Sequence, residues 1–404
     1  MKLLSFIIPS RNNLRYLKNA YQSIRDNLGS HHEICMADDA SSDSTWDWMV
    51  EISNIDKNVK THKNEGPDRL GHCVLYDVLI NEYSTNDIFC IFHADMVAAK
   101  GMDVEMLKHI DEKTIVSATR IEPPLHPTDP AKVIKDFGIE PSEFDVDLFN
   151  DFVEKLKFDN KNKITGGVFA PWICHKKSFQ SIGGHDQDNF SPQSKEDSDY
   201  FNRFMLNGGK FIQSWEAYVY HLTCRGSRFK DGAMRNPAGQ VFMKNRESSE
   251  WLAQNLKSTR NFIRKWGHMV KHDEYLKPII PSKYNVGFIA NNCDINLLKE
   301  LEPWCSTIYC GLDFNSYIED EQPNTSFDLR ERVQPIDNEK NNDILIEFDC
   351  KLVTPQNFQI LVNLSEILKE SGEVGEMELE VFKLHIKSLD TYEKDLIKVK
   401  KKYN

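Results

Sequence analysis

Apolar positions follow two rhythms along this chain. Leu3–Pro9 is a nearly unbroken apolar run ended by proline, the pattern of a strand buried on both faces of a mostly parallel sheet. Leu14, Leu17, Tyr21, Ile24 and Leu28 then recur at spacings of three and four, which predicts a helix with Asn12 or Asn13 as N-cap and Gly29 as the stop. Glu33–Ala37 predicts a second strand. It runs into the polar turn Asp38-Asp39-Ala-Ser-Ser-Asp-Ser-Thr and a helix bearing Trp46 and Met49. A third unit repeats the alternation: a helix marked by Leu70, Val74, Leu75, Val78 and Leu79, then the buried strand Ile88–Phe92, which leads straight into His93-Ala94-Asp95. Thr114–Thr119 is a further strand. This alternation of strands and helices is the signature of an α/β layer fold.

Residues 121–163 break the rhythm. They open with Pro123, Pro124, Pro127 and Pro130 and turn acidic, so they read as an excursion from the sheet, a lid or an acceptor-binding insertion. The pattern resumes at Ile164. Glu196–Leu206 predicts a helix stopped by Gly208-Gly209, and Ala217–Tyr220 a strand that delivers His221. From Tyr284 a second α/β unit is expected, with strands at Asn285–Ala290, Ser306–Tyr309 and Ile344–Phe348. One amphipathic helix is expected from Phe358 to Leu368, and one strand over Met377–Ile386. The division is therefore 1–228 for the first domain, 229–280 for a helical linker rich in Lys, Arg and Trp, and 281–404 for a smaller C-terminal α/β domain.

Composition narrows the function classes. The chain has 404 residues, enough for two or three domains at roughly 100–200 residues each. A formal net charge of −12 opposes non-specific binding to a phosphate backbone, so no nucleic-acid partner is expected. Nine cysteines without a CxxC pair read as free thiols in a reducing, cytoplasmic compartment, with Cys90 a small core residue. No apolar run reaches the 18 residues or so of a membrane span, and the short N-terminal run reads as a first strand rather than a signal peptide. The GxxxxGK[ST], HExxH and GxSxG motifs of P-loop NTPases, zincins and α/β-hydrolases are absent from the sequence. The adjacent His31 and His32 lack partners at metal spacing and read as surface residues.

In open α/β sheets, ligands gather at the carboxyl ends of the strands. Asp38-Asp39, Asp95, Glu196-Asp197 and His221 all stand at or near such ends. The ordered set SFIIPSRNN, ADDASSDST, FHADM and SKEDSDYFNRFMLNGGKF resembles the family 2 glycosyltransferases across roughly residues 3–225. The resemblance implies a GT-A nucleotide-sugar-binding domain built on a mostly parallel mixed sheet. It also implies an inverting transfer of a hexosyl or N-acetylhexosaminyl group from a nucleotide-diphospho-sugar, a UDP-sugar by expectation, to a hydroxyl acceptor such as a glycan.

Residue by residue, the resemblance assigns Pro9, Ser10, Arg11 and Asp39, with Asp38, to the nucleotide base and ribose. The alternative for the Asp pair is an Asx-type turn. His93-Ala94-Asp95 stands where the family carries its DxD motif, with Asp95 and His221 as metal ligands; Ala94 lies on the donor path. The first acid of that motif is His93 here, and imidazole suits a transition metal better than Mg2+, which favours Mn2+ over Mg2+. Asp197 is the expected catalytic base, with Glu196 beside it. Both could instead be acidic residues that favour a helix N-terminus. Arg69, Arg225 and Arg228 are candidate diphosphate contacts, since a guanidinium can meet phosphate oxygens in pairs, and Trp172 is a candidate platform for a sugar ring. His93 also motivates a second reading, a non-catalytic nucleotide- or carbohydrate-binding protein on the same scaffold. A nucleotidyltransferase is a weaker third, because SRNNLRY is a poor version of that class's Gly-rich loop.

Overall fold

The computed structural model describes residues 3–29, 31–225, 231–245 and 247–399. The first sheet opens with β1 (Leu4–Ser10), α1 (Leu14–Asn27), β2 (Glu33–Asp39), α2 (Thr45–Ile55), β3 (Val59–Asn64), α3 (Gly71–Val78) and β4 (Ile88–Ile91). β1 pairs in parallel with β2 and β4, and β2 with β3. β1, β2 and β4 are buried along their whole length, which is why each reads as a continuous apolar run rather than an alternation. Next come β5 (Met96–Ala98), α4 (Met102–Leu107), β6 (Thr114–Glu122), β7 (Lys132–Ile134), α5 (Val146–Asp159), β8 (Ile164–Thr165), β9 (Trp172–His175), α6 (Lys176–Ser181), α7 (Gln187–Phe190), α8 (Glu196–Leu206) and β10 (Lys210–His221). The order is β3-β2-β1-β4-β9-β6-β10-β5, with β7 added to β6 and β8 to β10. β9 runs antiparallel between β4 and β6, and β5 antiparallel to β10. The sheet is thus mixed but mostly parallel.

A hairpin of β11 (Met234–Arg235) and β12 (Val241–Phe242) precedes the long helix α9 (Ser249–Trp266), whose N-cap Ser248 accepts from Trp251 N and whose end is Gly267 in the left-handed region. A second, six-stranded sheet follows with its own core. Its strands are β13 (Val286–Asn291), β14 (Thr307–Cys310), β15 (Val333–Pro335), β16 (Ile344–Asp349), β17 (Gly375–Leu379) and β18 (Phe382–Ile386), in the order β15-β14-β13-β16-β18-β17. Among the described residues no helix is long and apolar enough to cross a membrane.

Four expectations need correction. The excursion at 121 begins later, because β6 runs through to Glu122 and β7 then pairs with it in parallel. Met377–Ile386 is a hairpin rather than one strand. Glu380 takes a left-handed φ of 54° and reverses the chain, and each arm keeps its own alternation. The amphipathic stretch Phe358–Leu368 is two short helices, Phe358–Val362 and Leu364–Ser371, parted at Asn363. His32 is fully buried rather than on the surface. Its Nδ1 accepts from Leu4 N at 3.0 Å, and its Nε2 meets Asp103 Oδ2 at 2.8 Å. A ring that can use both nitrogens at once is well suited to bridging a strand and a helix.

Candidate active site

Strand ends of the first sheet converge on one cleft of about 570 Å³. Pro9, Ser10 and Arg11 enter it from β1, Asp39 from β2, and His93, Ala94 and Asp95 from the segment after β4. Glu196 and Asp197 line it from the first turn of α8, and His221 from the end of β10. The long strand β10 bulges between Ser214 and Tyr218 against β6 before presenting His221, and bulges commonly re-aim side chains beside active sites.

One atom from each of His93, Asp95 and His221 lies within 4.8 Å of the others. Asp95 is 9% exposed, and His221 Nε2 stands 3.5 Å from its Oδ1. His221 Nδ1 donates to Glu122 Oε1 at 2.9 Å, which fixes the ring and aims Nε2 at Asp95. Burial alone would lower the His221 pKa, but the carboxylates of Asp95 and Glu122 outweigh it and raise the pKa to about 9. Burial works the other way on Asp95, and the imidazoles of His221 and His93 more than offset it, holding that carboxyl well below its usual range. Two imidazoles and one carboxylate, brought together in a pocket of this charge, fit a divalent transition ion and leave positions on it for oxygen ligands.

Glu122 was missed in the sequence because it follows an apolar strand and precedes two prolines, where an acid reads as a turn residue. It is 1% exposed and held by Arg120 Nη1 at 2.9 Å and Lys132 Nζ at 3.1 Å. A charged residue closing the run TIVSATRIE was the available signal. Replacing Glu122 by Gln is expected to weaken Mn2+ binding by about 10–100-fold, the usual loss when an outer partner of a metal-ligating His is changed. Calorimetric titration with Mn2+ would show it, and an unchanged affinity would refute the orienting role.

The other expected residues divide. Asp39 lies in the cleft, but its carboxylate also accepts from Leu70 N at 2.7 Å, Gly71 N at 2.9 Å and Asn64 Nδ2 at 2.9 Å. It thereby ties the start of α3 to the end of β2. Gly71 also lets Pro192 pack close against this turn: its φ is +76°, and a Cβ there would fall 2.0 Å from Pro192 O. Arg69 reaches the cleft and donates to Gln193 Oε1 at 2.8 Å. Arg120 and Lys132, neither singled out in the sequence, add basic groups to the lining.

Three expectations fail on geometry. Asp38 is 1% exposed beside the turn at Ser41 and does not line the cleft, since neighbours along a strand face opposite sides. Arg225 turns away to Ala233 O at 2.9 Å and Glu140 Oε1 at 3.3 Å, where its charge is paired. Trp172 reaches the cleft wall but is only 3% exposed: Tyr200 stacks on it at 5.7 Å, and Phe89 and Phe201 press on it edge-on. It is core rather than an open sugar platform. Arg228 lies outside the described residues.

Residues 5–183 match the profile of Glycosyl transferase family 2. No curated protein matches the chain. Solved structures with a similar fold include GalNAc-T7 with UDP, GalNAc and Mn2+, at 14% identity and a TM-score of 0.45, covering 68% of this chain and 49% of that one. Another is TarS 1–349 of S. aureus in complex with UDP, at 17% identity and a TM-score of 0.40, covering 55% and 60%. A third is the mannosyltransferase PcManGT of Pyrobaculum calidifontis with GDP-Man and Mn2+, at 15% identity and a TM-score of 0.38, covering 54% and 56%. The chain thus spans about half to three fifths of the length of these proteins. The profile runs from β1 through β9, the strands whose ends meet in one polar cleft, so residues 5–183 carry the pattern of glycosyl transferase family 2 on a mixed, mostly parallel sheet.

Proposed function

We propose that the protein transfers a sugar from a nucleotide-diphospho-sugar, a UDP-sugar in our reading, to an acceptor hydroxyl with inversion at the anomeric carbon. The observation that carries this reading is the His93–Asp95–His221 cluster in the same cleft as Asp197. A divalent cation held by these three side chains, Mn2+ by preference, would neutralise charge on the diphosphate as it leaves. Arg11 and Arg69 supply further positive charge around the leaving group. Asp197 accepts the proton of the acceptor hydroxyl while that oxygen bonds to the anomeric carbon. The bond from that carbon to the diphosphate oxygen breaks on the opposite face, and the nucleoside diphosphate departs with the bonding electrons.

Titration calorimetry with UDP in the presence of Mn2+ tests the reading. Wild type is expected to bind, chelation of the metal to weaken binding, and Asp95→Ala to weaken it by about tenfold, or 1.4 kcal/mol. No binding by the wild type, or full affinity in Asp95→Ala, would overturn it. The binding-only alternative draws on His93 at the first position of the motif. It gains if donor binds but neither hydrolysis nor transfer of the sugar occurs.

A further inference from the structure

Asp197 is exposed, and among the described residues its carboxylate accepts only from its neighbour Ser198, from N at 2.6 Å and Oγ at 3.3 Å. Where that carboxylate points is therefore set by the backbone that starts α8. Ser194 and Lys195, just before it, take successive left-handed φ values of 83° and 69°. Lys195 is the N-cap of α8, and its carbonyl accepts from Asp199 N at 2.9 Å. Neither residue is glycine, and a Cβ makes this region of backbone space unfavourable. Two such residues in a row persist only where their surroundings hold them.

Helix α9 does the holding, and it lies beyond the span of the family profile, which ends at residue 183. Gln254 Nε2 donates to Ser191 O at 3.2 Å and Gln193 O at 3.1 Å, and Ser258 Oγ donates to Gln193 O at 3.2 Å. Asn255 takes the two residues that follow: its Oδ1 accepts from Ser194 Oγ at 2.7 Å and from Lys195 Nζ at 3.3 Å. One amide oxygen thus bridges both left-handed positions. Past Asp197 the same helix reaches α8 again, where Lys265 Nζ and Trp266 Nε1 meet Asp199 Oδ1 at 2.7 Å and 3.0 Å. Asp197 stands between these two points of grip.

We infer that Asn255 is a positioning residue for the transfer: it holds Ser194 and Lys195 in the left-handed region and so aims Asp197 into the cleft. This role rests on the transferase reading given above and adds to it the residue that sets the base.

Kinetics of Asn255 variants test it. UDP-glucose, UDP-galactose and UDP-N-acetylglucosamine serve as donors with Mn2+, with and without p-nitrophenyl glycosides as acceptors, and UDP release is read. Asn255→Ala is expected to lower kcat about tenfold, or 1.4 kcal/mol, the scale of holding one non-glycine residue in the left-handed region. Its affinity for UDP with Mn2+ is expected to stay at the wild-type level. Alanine is the better helix former, so α9 is kept. Asn255→Asp retains the accepting oxygen and is expected to turn over near the wild-type rate. Adding Ser194→Gly to Asn255→Ala is expected to recover part of the loss, because glycine takes a positive φ without strain. Loss of a contact between Asn255 and substrate would not be recovered in that way. Wild-type kcat in Asn255→Ala would overturn the inference, as would a loss that Ser194→Gly leaves unchanged. If Asp197→Asn is impaired in the same assay, the transferase reading stands in either case. A wild type that turns over no donor removes the transferase reading, and the role of Asn255 with it.

Discussion

Asp197→Asn is expected to lower kcat for transfer by about 10²–10⁴-fold, the range a positioned general base supplies, while UDP binding with Mn2+ stays at the wild-type level. Asparagine keeps the size and shape of the side chain, so the change removes the proton acceptor and little else. The carboxylate stands exposed in the cleft, where Ser198 N donates to its Oδ1 at 2.6 Å. Its neighbour two residues on, Asp199, has the opposite fate. Asp199 is fully buried and pairs with Arg203 at 2.7 Å and Lys265 at 2.7 Å, and Trp266 Nε1 donates to it at 3.0 Å. The acidic start of α8 therefore divides its labour, with Asp199 anchoring the helix and Asp197 open to the cleft. Steady-state kinetics on the variant decides the point, and a variant with wild-type kcat would place the base elsewhere.

Glu302→Ala is expected to destabilise the protein by about 3–5 kcal/mol, because removing one partner of a buried ion cluster strands the other charges. Glu302 is 0% exposed. It accepts from Arg264 Nη2 at 2.7 Å, from Arg332 Nε at 2.5 Å and from Tyr317 Oη at 2.9 Å. Arg264 lies on α9, so this knot fastens the helix that grips the segment before Asp197 to the C-terminal unit. Burial pushes the Glu302 pKa up, but Arg332 and Arg264 outweigh it and bring it down to about 2. A folded value below the ordinary 4.5 means that this stabilisation is full above pH 4.5 and is lost as the pH falls towards 2. Urea unfolding measures the loss. It should shrink at acid pH in the wild type relative to the variant, and equal urea midpoints at neutral pH would show that the cluster is not stabilising.

Much of the site was legible in the sequence because each residue closes an apolar run. His93 and Asp95 follow the strand IFCIF, His221 follows AYVY, and Asp39 follows EICMAD. Burial on both faces makes such strands conspicuous, and chain geometry places whatever follows them at the sheet's edge. The same logic could not tell Asp38 from Asp39, since facing alternates residue by residue and a turn reads alike from either side. Nor could it separate Trp172, packed beneath Tyr200, from an aromatic open to ligand, because an indole's spacing says nothing of what covers its faces.

By itself, then, the sequence determined the α/β class and the order of strand ends, with His93, Asp95 and His221 among the residues that follow them, all of which depend on local pattern. Only the tertiary structure brought Glu122 behind His221, turned Arg225 away, and laid α9 across the segment before Asp197. Those outcomes join residues 50 to 100 positions apart, such as Glu122 to His221 and Ser194 to Asn255. Pairings at that range are set by how whole elements pack, which no window along the chain contains.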